Sequence, residues 1–196
     1  MLIQNLFMLV AAYIIGCFSA AYYVIRLLFH RDIRTVGSGN AGARNAGRMF
    51  GFGWFTVIFL LDFAKGAVVV WLASSIGMDD WGMLLSMLAV ISGHIWPVQL
   101  RFCGGKGVAT ALGVIAMYDP VALLYMLALC VVSYPLVRNF TISGLLSFLL
   151  MPLAVFIWQM DDVQAVSLLV IAVVVVFAHR RDIAADLNKR KKNRRG

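Results

Sequence analysis

The sequence contains no glutamate: all nine acidic residues among its 196 positions are aspartates. Glutamate is a strong helix former, so its complete absence argues against a soluble helical protein. Charged residues make up only 13% of the chain, about half of the roughly 25% that is usual in globular proteins. Three cysteines without a C-x-x-C spacing also argue against a disulfide framework or a thiolate metal site. Together these shortages exclude a soluble domain.

Apolar residues are in excess: 62% of the chain is hydrophobic, which excludes intrinsic disorder. A helix of roughly 20 apolar residues crosses the ~30 Å hydrocarbon core of a membrane. Because no charge precedes Arg26, we expect the first apolar stretch to be a retained span and not a cleaved signal peptide. The predicted fold class is an all-α polytopic membrane protein with seven transmembrane helices. The predicted spans are 4–26, 52–77, 81–100, 107–118, 120–137, 141–160 and 163–179.

The charges between the predicted spans are segregated by sign. Lys and Arg follow the first, third, fifth and seventh spans, whereas the other loops carry aspartate and no basic residue. Lys and Arg collect in cytoplasmic loops, so we expect the N-terminus outside and the C-terminus in the cytoplasm. The aspartates of the outer loops are Asp79, Asp80, Asp119, Asp161 and Asp162.

The end of the chain is strongly basic, with residues 189–195 reading KRKKNRR. Such runs can bind nucleic acid, but this one directly follows a predicted span and therefore lies at the anionic cytoplasmic leaflet. We expect no nucleic-acid partner. Without a linker or repeat in the rest of the chain, we predict one transmembrane domain over residues 1–188 and a basic cytoplasmic tail over residues 189–196.

A glycine-rich stretch follows the first span on the cytoplasmic side. Residues 37–48 read GSGNAGARNAGR. Glycine allows the backbone to approach a ligand closely, while Ser, Asn and Arg supply hydrogen-bond donors. The stretch predicts an oxyanion or phosphate site, with an ordinary solvated loop as the alternative.

A second glycine-rich stretch, CGGKG at 103–107, leads into the helix-forming run 108–118. Backbone N–H groups at a helix N-terminus attract anions. This is not a nucleotide-binding P-loop, because Gly107 stands where Ser or Thr must follow Lys106. About a dozen residues up to Asp119 cover only ~18–20 Å as a helix, so we expect the loop roughly 10 Å inside the membrane. Non-helical backbone at that depth predicts a recessed polar pocket on the cytoplasmic side.

Three further polar residues fall within or at the end of predicted spans. Asp62 and Lys65 share a helix face through their i, i+3 spacing, as a functional pair or as a self-satisfied structural ion pair. His94 has an intrinsic pKa suited to proton transfer, although a single histidine is often only a structural hydrogen-bonding residue.

Several motifs together resemble those of a known family. They are Gly-Ser-Gly-Asn at 37–40 with Asn45 and Arg48, Asp62-x-x-Lys65-Gly66, Gly-His-Ile-Trp-Pro at 93–97, and Phe-x-Gly-Gly-Lys-Gly-Val-Ala-Thr at 102–110. The chain resembles the bacterial membrane-integral, acyl-phosphate-dependent glycerol-3-phosphate acyltransferases, the PlsY family. The resemblance implies a seven-helix enzyme of the bacterial cytoplasmic (inner) membrane. It would move a fatty acyl group from acyl phosphate to the 1-hydroxyl of glycerol 3-phosphate, giving lysophosphatidic acid, the first step of phospholipid synthesis.

The resemblance also implies which residues serve that reaction. His94, Lys106 and Asn45 are expected to be catalytic, with His94 acting as a positioning residue or weak base and without a covalent intermediate. Three glycines are expected to cradle a phosphate with backbone amides. The expected substrate-binding residues are Ser38, Gly39, Asn40, Arg44, Arg48, Lys65, Gly104, Gly105, Gly107, Thr141 and Asp182. No cofactor or metal is expected, and the partners are acyl phosphate, glycerol 3-phosphate and the lipid bilayer, with a monomer or weak homo-oligomer.

Five features depart from the family pattern: Arg44 replaces Thr, Cys103 replaces Lys, Thr141 replaces Ser, Asp182 replaces Asn, and the Arg that follows in that last motif is lost. Because Arg44 and Asp182 fall at expected phosphate contacts, a diverged paralogue with another acceptor is the second hypothesis. An anion transporter and a non-catalytic membrane subunit are further alternatives. Short outer loops carrying only aspartate disfavour the transporter.

Overall fold

The computed structural model describes the backbone of residues 2–193 and the side chains of residues 3–188. Within that part the regular elements are ten α-helices and two short 3₁₀ turns, so the predicted all-α class is confirmed. The chain divides into two compact units, Met1–Pro120 and Val121–Gly196.

The first unit contains six helices, which bring together residues far apart in the sequence. Pairs of helices cross at glycines. A Cβ at Gly16 would lie 2.2 Å from the carbonyl oxygen of Val90, and one at Gly113 would lie 1.9 Å from that of Phe63. Small residues let helix backbones approach closely inside a membrane. The helices are α1 (Leu2–Cys17), α2 (Ala20–Phe29), α3 (Ala43–Phe50), α4 (Phe52–Ser75), α5 (Asp80–Ile95) and α6 (Val108–Tyr118).

Helices α1 and α5 form one of these crossings and α4 and α6 form the other, while α4 also packs against α5. This arrangement places the polar residues of α4 beside the end of α5.

The predicted first span is present, but it is broken. Helix α1 ends at Cys17 and α2 starts at Ala20, with Ser19 in extended conformation between them (φ −90°, ψ 95°). The apolar segment runs over Ile3–Phe29, three residues beyond the predicted end. The break does not show in the hydropathy pattern, because both helices are largely apolar and the residues between them are apolar or small.

The second unit holds four helices. Asn139 caps the second of them, since its Oδ1 accepts a hydrogen bond from the Thr141 N–H at 3.0 Å. The Asn139 side-chain amide also donates to Asp186 at 2.8 Å, joining this cap to the last helix. The helices are α7 (Pro120–Val137), α8 (Phe140–Gln159), α9 (Asp162–Ala178) and α10 (Arg180–Asn193).

Five segments of the described chain are long and apolar enough to cross a membrane, and α9 with the start of α10 gives a sixth, bent by 57°. The protein is therefore a multi-pass membrane protein. Helix α6, at 11 residues, begins within one residue of its predicted span but is too short to count as a candidate crossing. Seven crossings stay a prediction. The side chains of the predicted tail, 189–196, lie outside the described residues, as does the backbone of 194–196.

Candidate active site

Three ionisable residues of the membrane-spanning segments, Asp62, Lys65 and His94, meet in a buried cluster. Asp62 Oδ1 lies 2.9 Å from Lys65 Nζ and 3.4 Å from His94 Nδ1. Lys65 Nζ lies 2.8 Å from the same His94 nitrogen. The three side chains are only 1–5% exposed. Asp62 and Lys65 form the ion pair that was one of the two alternatives for their i, i+3 spacing, and it neutralises two charges that would be costly to bury singly.

Lys65 also donates hydrogen bonds to backbone carbonyls at the break between α1 and α2. Its ammonium donates to the carbonyl oxygens of Gly16 (3.1 Å) and Phe18 (2.7 Å), while the Gln99 side chain donates to the carbonyl of Cys17. The last carbonyls of a helix have no partner within it and need one inside a membrane. An ammonium has three donors, and this one is surrounded by two carbonyl oxygens, the Asp62 carboxylate and His94 Nδ1. Lys65 is thus bonded to protein atoms, and its predicted phosphate contact stays a prediction.

The second glycine stretch folds back onto the end of α5. The Gly104 N–H donates to the Ile95 carbonyl and the Gly105 N–H donates to the His94 carbonyl, each at 3.1 Å. These two amides, predicted to cradle a phosphate, are therefore already bonded to the protein. Gly107 has φ 82°, a left-handed conformation that favours glycine, and it caps the start of α6.

Gly105 is the point at which separate motifs meet. A Cβ at position 105 would lie 2.1 Å from His94 Nε2 and 3.0 Å from the carbonyl oxygen of Ala41. Its backbone therefore packs against both the imidazole edge and the first glycine stretch. The two glycine stretches and His94, which the sequence assigns to one site, do lie together. Lys106 follows directly and is half-buried.

Asn45 organises the first glycine stretch from within. It is 2% exposed, and its Oδ1 accepts a hydrogen bond from the Ser38 N–H at 3.0 Å. Its Nδ2 donates to three carbonyls of the preceding loop, those of Ile33 (3.2 Å), Val36 (3.0 Å) and Asn40 (3.1 Å). Asn45 is thus bonded within the loop that it positions, and its predicted catalytic role stays a prediction. Ser38 and Gly39 are left exposed and Asn40 half-buried.

The two arginines of the first stretch lie on one exposed face of α3. Arg44 and Arg48 are one turn apart, and with Gly47, Phe52 and Phe55 they line an open groove of about 220 Å³. Guanidinium groups beside apolar rings suit a ligand that carries both an anionic and an apolar part.

A further ion pair, which the sequence analysis missed, ties this region together. Arg34 donates to Asp32 Oδ2 at 2.7 Å and to the Leu100 carbonyl at 3.0 Å, and its guanidinium lies 4.9 Å from the centre of the Tyr22 ring. The hydrogen bond from Arg34 holds the pKa of the Asp32 carboxyl below its ordinary value. The sequence Asp-Ile-Arg at 32–34, just ahead of the glycine stretch, is the pattern from which this ion pair could have been predicted.

An apolar groove of about 410 Å³ lies beside the α1–α2 break. Tyr13, Cys17 and Phe18 line one side, and Val98 and Gln99 line the other. It adjoins the Asp62–Lys65–His94 cluster, because the Phe18 carbonyl is one of the acceptors of the Lys65 ammonium.

Two of the predicted residues belong to the second unit. Thr141 is the second residue of α8, and Asp182 lies in the first turn of α10, where its N–H donates to the His179 carbonyl at 2.9 Å. Their substrate contacts stay predictions. Among the described residues, no group of three or more His, Cys, Asp or Glu side chains is placed to hold a metal ion.

The chain matches the family model of glycerol-3-phosphate acyltransferases over residues 6–189. It is 38% identical to glycerol-3-phosphate acyltransferase 1 of Desulfitobacterium hafniense over 191 residues, covering 97% of this chain and 95% of the relative. It is also 38% identical to the Bacillus cereus enzyme of the same name over 172 residues, covering 88% and 94%.

Two crystal structures of PlsY (YgiH), an integral membrane glycerol 3-phosphate acyltransferase, share the fold. The glycerol 3-phosphate form superposes with a TM-score of 0.85 at 32% identity, covering 95% of this chain and 94% of that one. The lysophosphatidic acid form gives 0.84 at 30% identity, covering 95% and 93%. The chain therefore belongs to the glycerol-3-phosphate acyltransferase family and is an integral membrane acyltransferase.

Proposed function

We propose that the protein transfers a fatty acyl group from acyl phosphate to the 1-hydroxyl of glycerol 3-phosphate, the first step of phospholipid synthesis. The observation that carries this proposal is the meeting of both glycine stretches with His94 at Gly105. Acyl phosphate is already activated, so the enzyme has only to neutralise two phosphates, align hydroxyl and carbonyl, and stabilise the developing oxyanion.

The reaction balances without a covalent enzyme intermediate. The glycerol oxygen forms a bond to the acyl carbonyl carbon, the bond from that carbon to the phosphate oxygen breaks, and the hydroxyl proton leaves with a substrate phosphate. The products are lysophosphatidic acid and inorganic phosphate. The side chains therefore need to orient and to donate hydrogen bonds rather than to attack.

Cations near the glycine stretches are suited to binding the two phosphates. Arg44 and Arg48 share the groove on α3, and Lys106 follows the contact between Gly105 and His94. The amides of Gly104 and Gly105 are already bonded within the protein, so these two glycines contribute by letting the backbone approach a ligand closely. Gly107 precedes the first residue of α6, and the first amides of that helix attract an anion. The remaining proposed contacts within the first unit are Ser38, Gly39 and Asn40.

The acyl chain of the donor fits the apolar groove beside the α1–α2 break. The groove is lined mainly by apolar groups and adjoins the cluster through the Phe18 carbonyl. A chain lying there would have its carbonyl end near the polar cluster and its methyl end toward lipid. Such an arrangement lets one site take a water-soluble acceptor and a membrane-soluble donor.

We further propose that the protein lies in the bacterial cytoplasmic membrane with its N-terminus outside and its C-terminus in the cytoplasm. Alternation of basic and acidic loops supports this orientation. Seven crossings require α6 and α9 to cross in addition to the five long candidates. The short α6 supports a site recessed from the cytoplasmic surface, reached by glycerol 3-phosphate from the cytoplasm. We propose a monomer or weak homo-oligomer.

The test is conversion of labelled glycerol 3-phosphate to lysophosphatidic acid by the purified protein in lipid mesophase with acyl phosphate as donor. Lys106→Ala should lose most of the activity, whereas Arg31→Ala, which removes an exposed cation outside the proposed site, should keep it. Absence of product with acyl phosphates of any chain length would overturn the proposal. The second candidate, another phosphorylated or amine acceptor, is favoured by Arg44 in the α3 groove, and product formed only with such an acceptor would establish it.

A further inference from the structure

Asp62 is the buried charge for which the proposed reaction has no direct use. It is 1% exposed, and its carboxylate faces Lys65 and His94. A buried carboxylate in a membrane segment is costly unless its charge is needed there. The contacts of Lys65 and His94 show what the Asp62 charge does.

The contact between Lys65 and His94 restricts the protonation of the imidazole. The other atoms around Lys65 Nζ are the carbonyl oxygens of Gly16 and Phe18, which accept hydrogen bonds from it, and a carboxylate oxygen of Asp62, which forms an ion pair with it. The nitrogen at their centre is therefore an ammonium, which has donors and no lone pair. At 2.8 Å from it, His94 Nδ1 has to accept and cannot bear a proton.

The proton of the neutral imidazole then lies on Nε2, the nitrogen that packs against Gly105. His94 consequently presents a hydrogen-bond donor to the glycine loop. This excludes the general-base role that was one of the two expected for it, because Nε2–H has no lone pair to accept a proton. A donor at this point suits an anionic phosphate oxygen or the oxyanion of acyl transfer.

We propose that Asp62 is a positioning residue: with Lys65 it fixes His94 as the tautomer that bears its proton on Nε2, and His94 donates to a substrate oxygen. The tautomer itself is independent of the function proposed above, whereas its use in turnover rests on that function. Asp62 acts by keeping the ammonium neutralised and in place. It makes no contact with substrate.

The first test reads the tautomer directly, without activity. In protein labelled with ¹⁵N-histidine, the His94 resonances, assigned by their loss in His94→Gln, should show a protonated Nε2 and an unprotonated Nδ1. A protonated Nδ1 or a doubly protonated ring in the wild type would overturn the proposal, and this measurement needs no variant at Asp62 to fold.

The second test compares Asp62→Asn with Asp80→Asn, the same chemical change at an exposed site. We expect Asp62→Asn to lose the single-tautomer signature and to lower kcat about 10- to 100-fold, because a misplaced transition-state donor is lost. The KM for glycerol 3-phosphate should change little, Asp62→Glu should recover part of kcat, and Asp80→Asn should behave as wild type. Unchanged kcat in a folded Asp62→Asn would overturn the positioning role. Lack of turnover in the wild type with the tautomer intact would instead count against the proposed function alone.

Discussion

The imidazole of His94 and the backbone of Gly105 are in direct contact, so closely that a Cβ at position 105 would lie 2.1 Å from Nε2. The neighbouring Gly105 N–H donates to the carbonyl of the same histidine at 3.1 Å. His94 is therefore held to the glycine loop by both its backbone and its ring. Side chain and loop have to move together.

Gly105→Ala is expected to abolish most of the acyltransferase activity. The new methyl group would push the imidazole or the loop by more than an ångström, and a displacement of that size costs about 100-fold in rate. Gly53→Ala is the matched control, because a Cβ at Gly53 meets nothing within 4 Å. Initial rates in lipid mesophase measure both variants. Full turnover by Gly105→Ala would show that the contact is not needed for catalysis.

Asn45→Asp should destabilise the first glycine stretch and weaken substrate binding. A carboxylate at this position turns an oxygen toward the carbonyls that now accept from Nδ2, so buried acceptors would face one another. We expect a loss of about 2 kcal/mol or more in unfolding free energy and a raised KM for glycerol 3-phosphate. Thermal unfolding in detergent and steady-state kinetics measure the two effects.

The control for this variant is Asn188→Asp, which makes the same change at an exposed residue. It should leave both the melting temperature and KM unchanged. If Asn45→Asp alters kcat while leaving stability and KM intact, Asn45 contacts the reacting groups and is more than a support for the loop.

Helix positions follow from the sequence far better than polar contacts do. The predicted span 120–137 coincides with α7, and 141–160 differs from α8 by one residue at each end, because charges and Gly or Pro delimit apolar runs. The break at Ser19 could not be foreseen, since it depends on carbonyl acceptors being met by Lys65 and Gln99 from distant helices.

In the candidate site, too, the sequence indicates which segments come together but not which polar groups bond to one another. Motif composition was enough to group the glycine stretches with His94, which the structure places at one point. Composition does not reveal which donors are already used within the fold. The amides of Gly104 and Gly105 and the carboxamide of Asn45 carry the right chemistry for a ligand, yet each is bonded to the protein itself. Lys65 is the same case, because it donates to carbonyl oxygens at the end of α1 and in the break that follows it.

The Asp32–Arg34 ion pair should make stability depend on acidity. The hydrogen bond from Arg34 lowers the pKa of Asp32 in the folded protein, so the pair stabilises the fold above the unfolded carboxyl pKa of about 3.9. This contribution is lost as the pH falls through the lower, folded value. Asp32→Asn should therefore be less stable than wild type near neutrality, and the difference should vanish in acid.

Thermal unfolding of both proteins across the acidic range checks this prediction, with Asp80→Asn as the control because Asp80 is an exposed aspartate. A stability difference that stays constant down to the lowest measurable pH would mean that Asp32 acts through its shape and not its charge.

Gly113→Ala should weaken the crossing of α4 and α6 and, through it, the active site. A Cβ at Gly113 would lie 1.9 Å from the carbonyl oxygen of Phe63, which is backbone and cannot turn aside. Forcing the helices apart costs about 1–3 kcal/mol, as overpacking does elsewhere. Because Phe63 lies between Asp62 and Lys65 on α4, the displacement would also alter their contacts with His94.

Gly144→Ala, where a Cβ meets nothing within 4 Å, should instead stabilise its helix slightly. We expect Gly113→Ala, but not Gly144→Ala, to lower the melting temperature and kcat together. Equal melting temperatures and equal kcat in the two variants would contradict the role of this crossing.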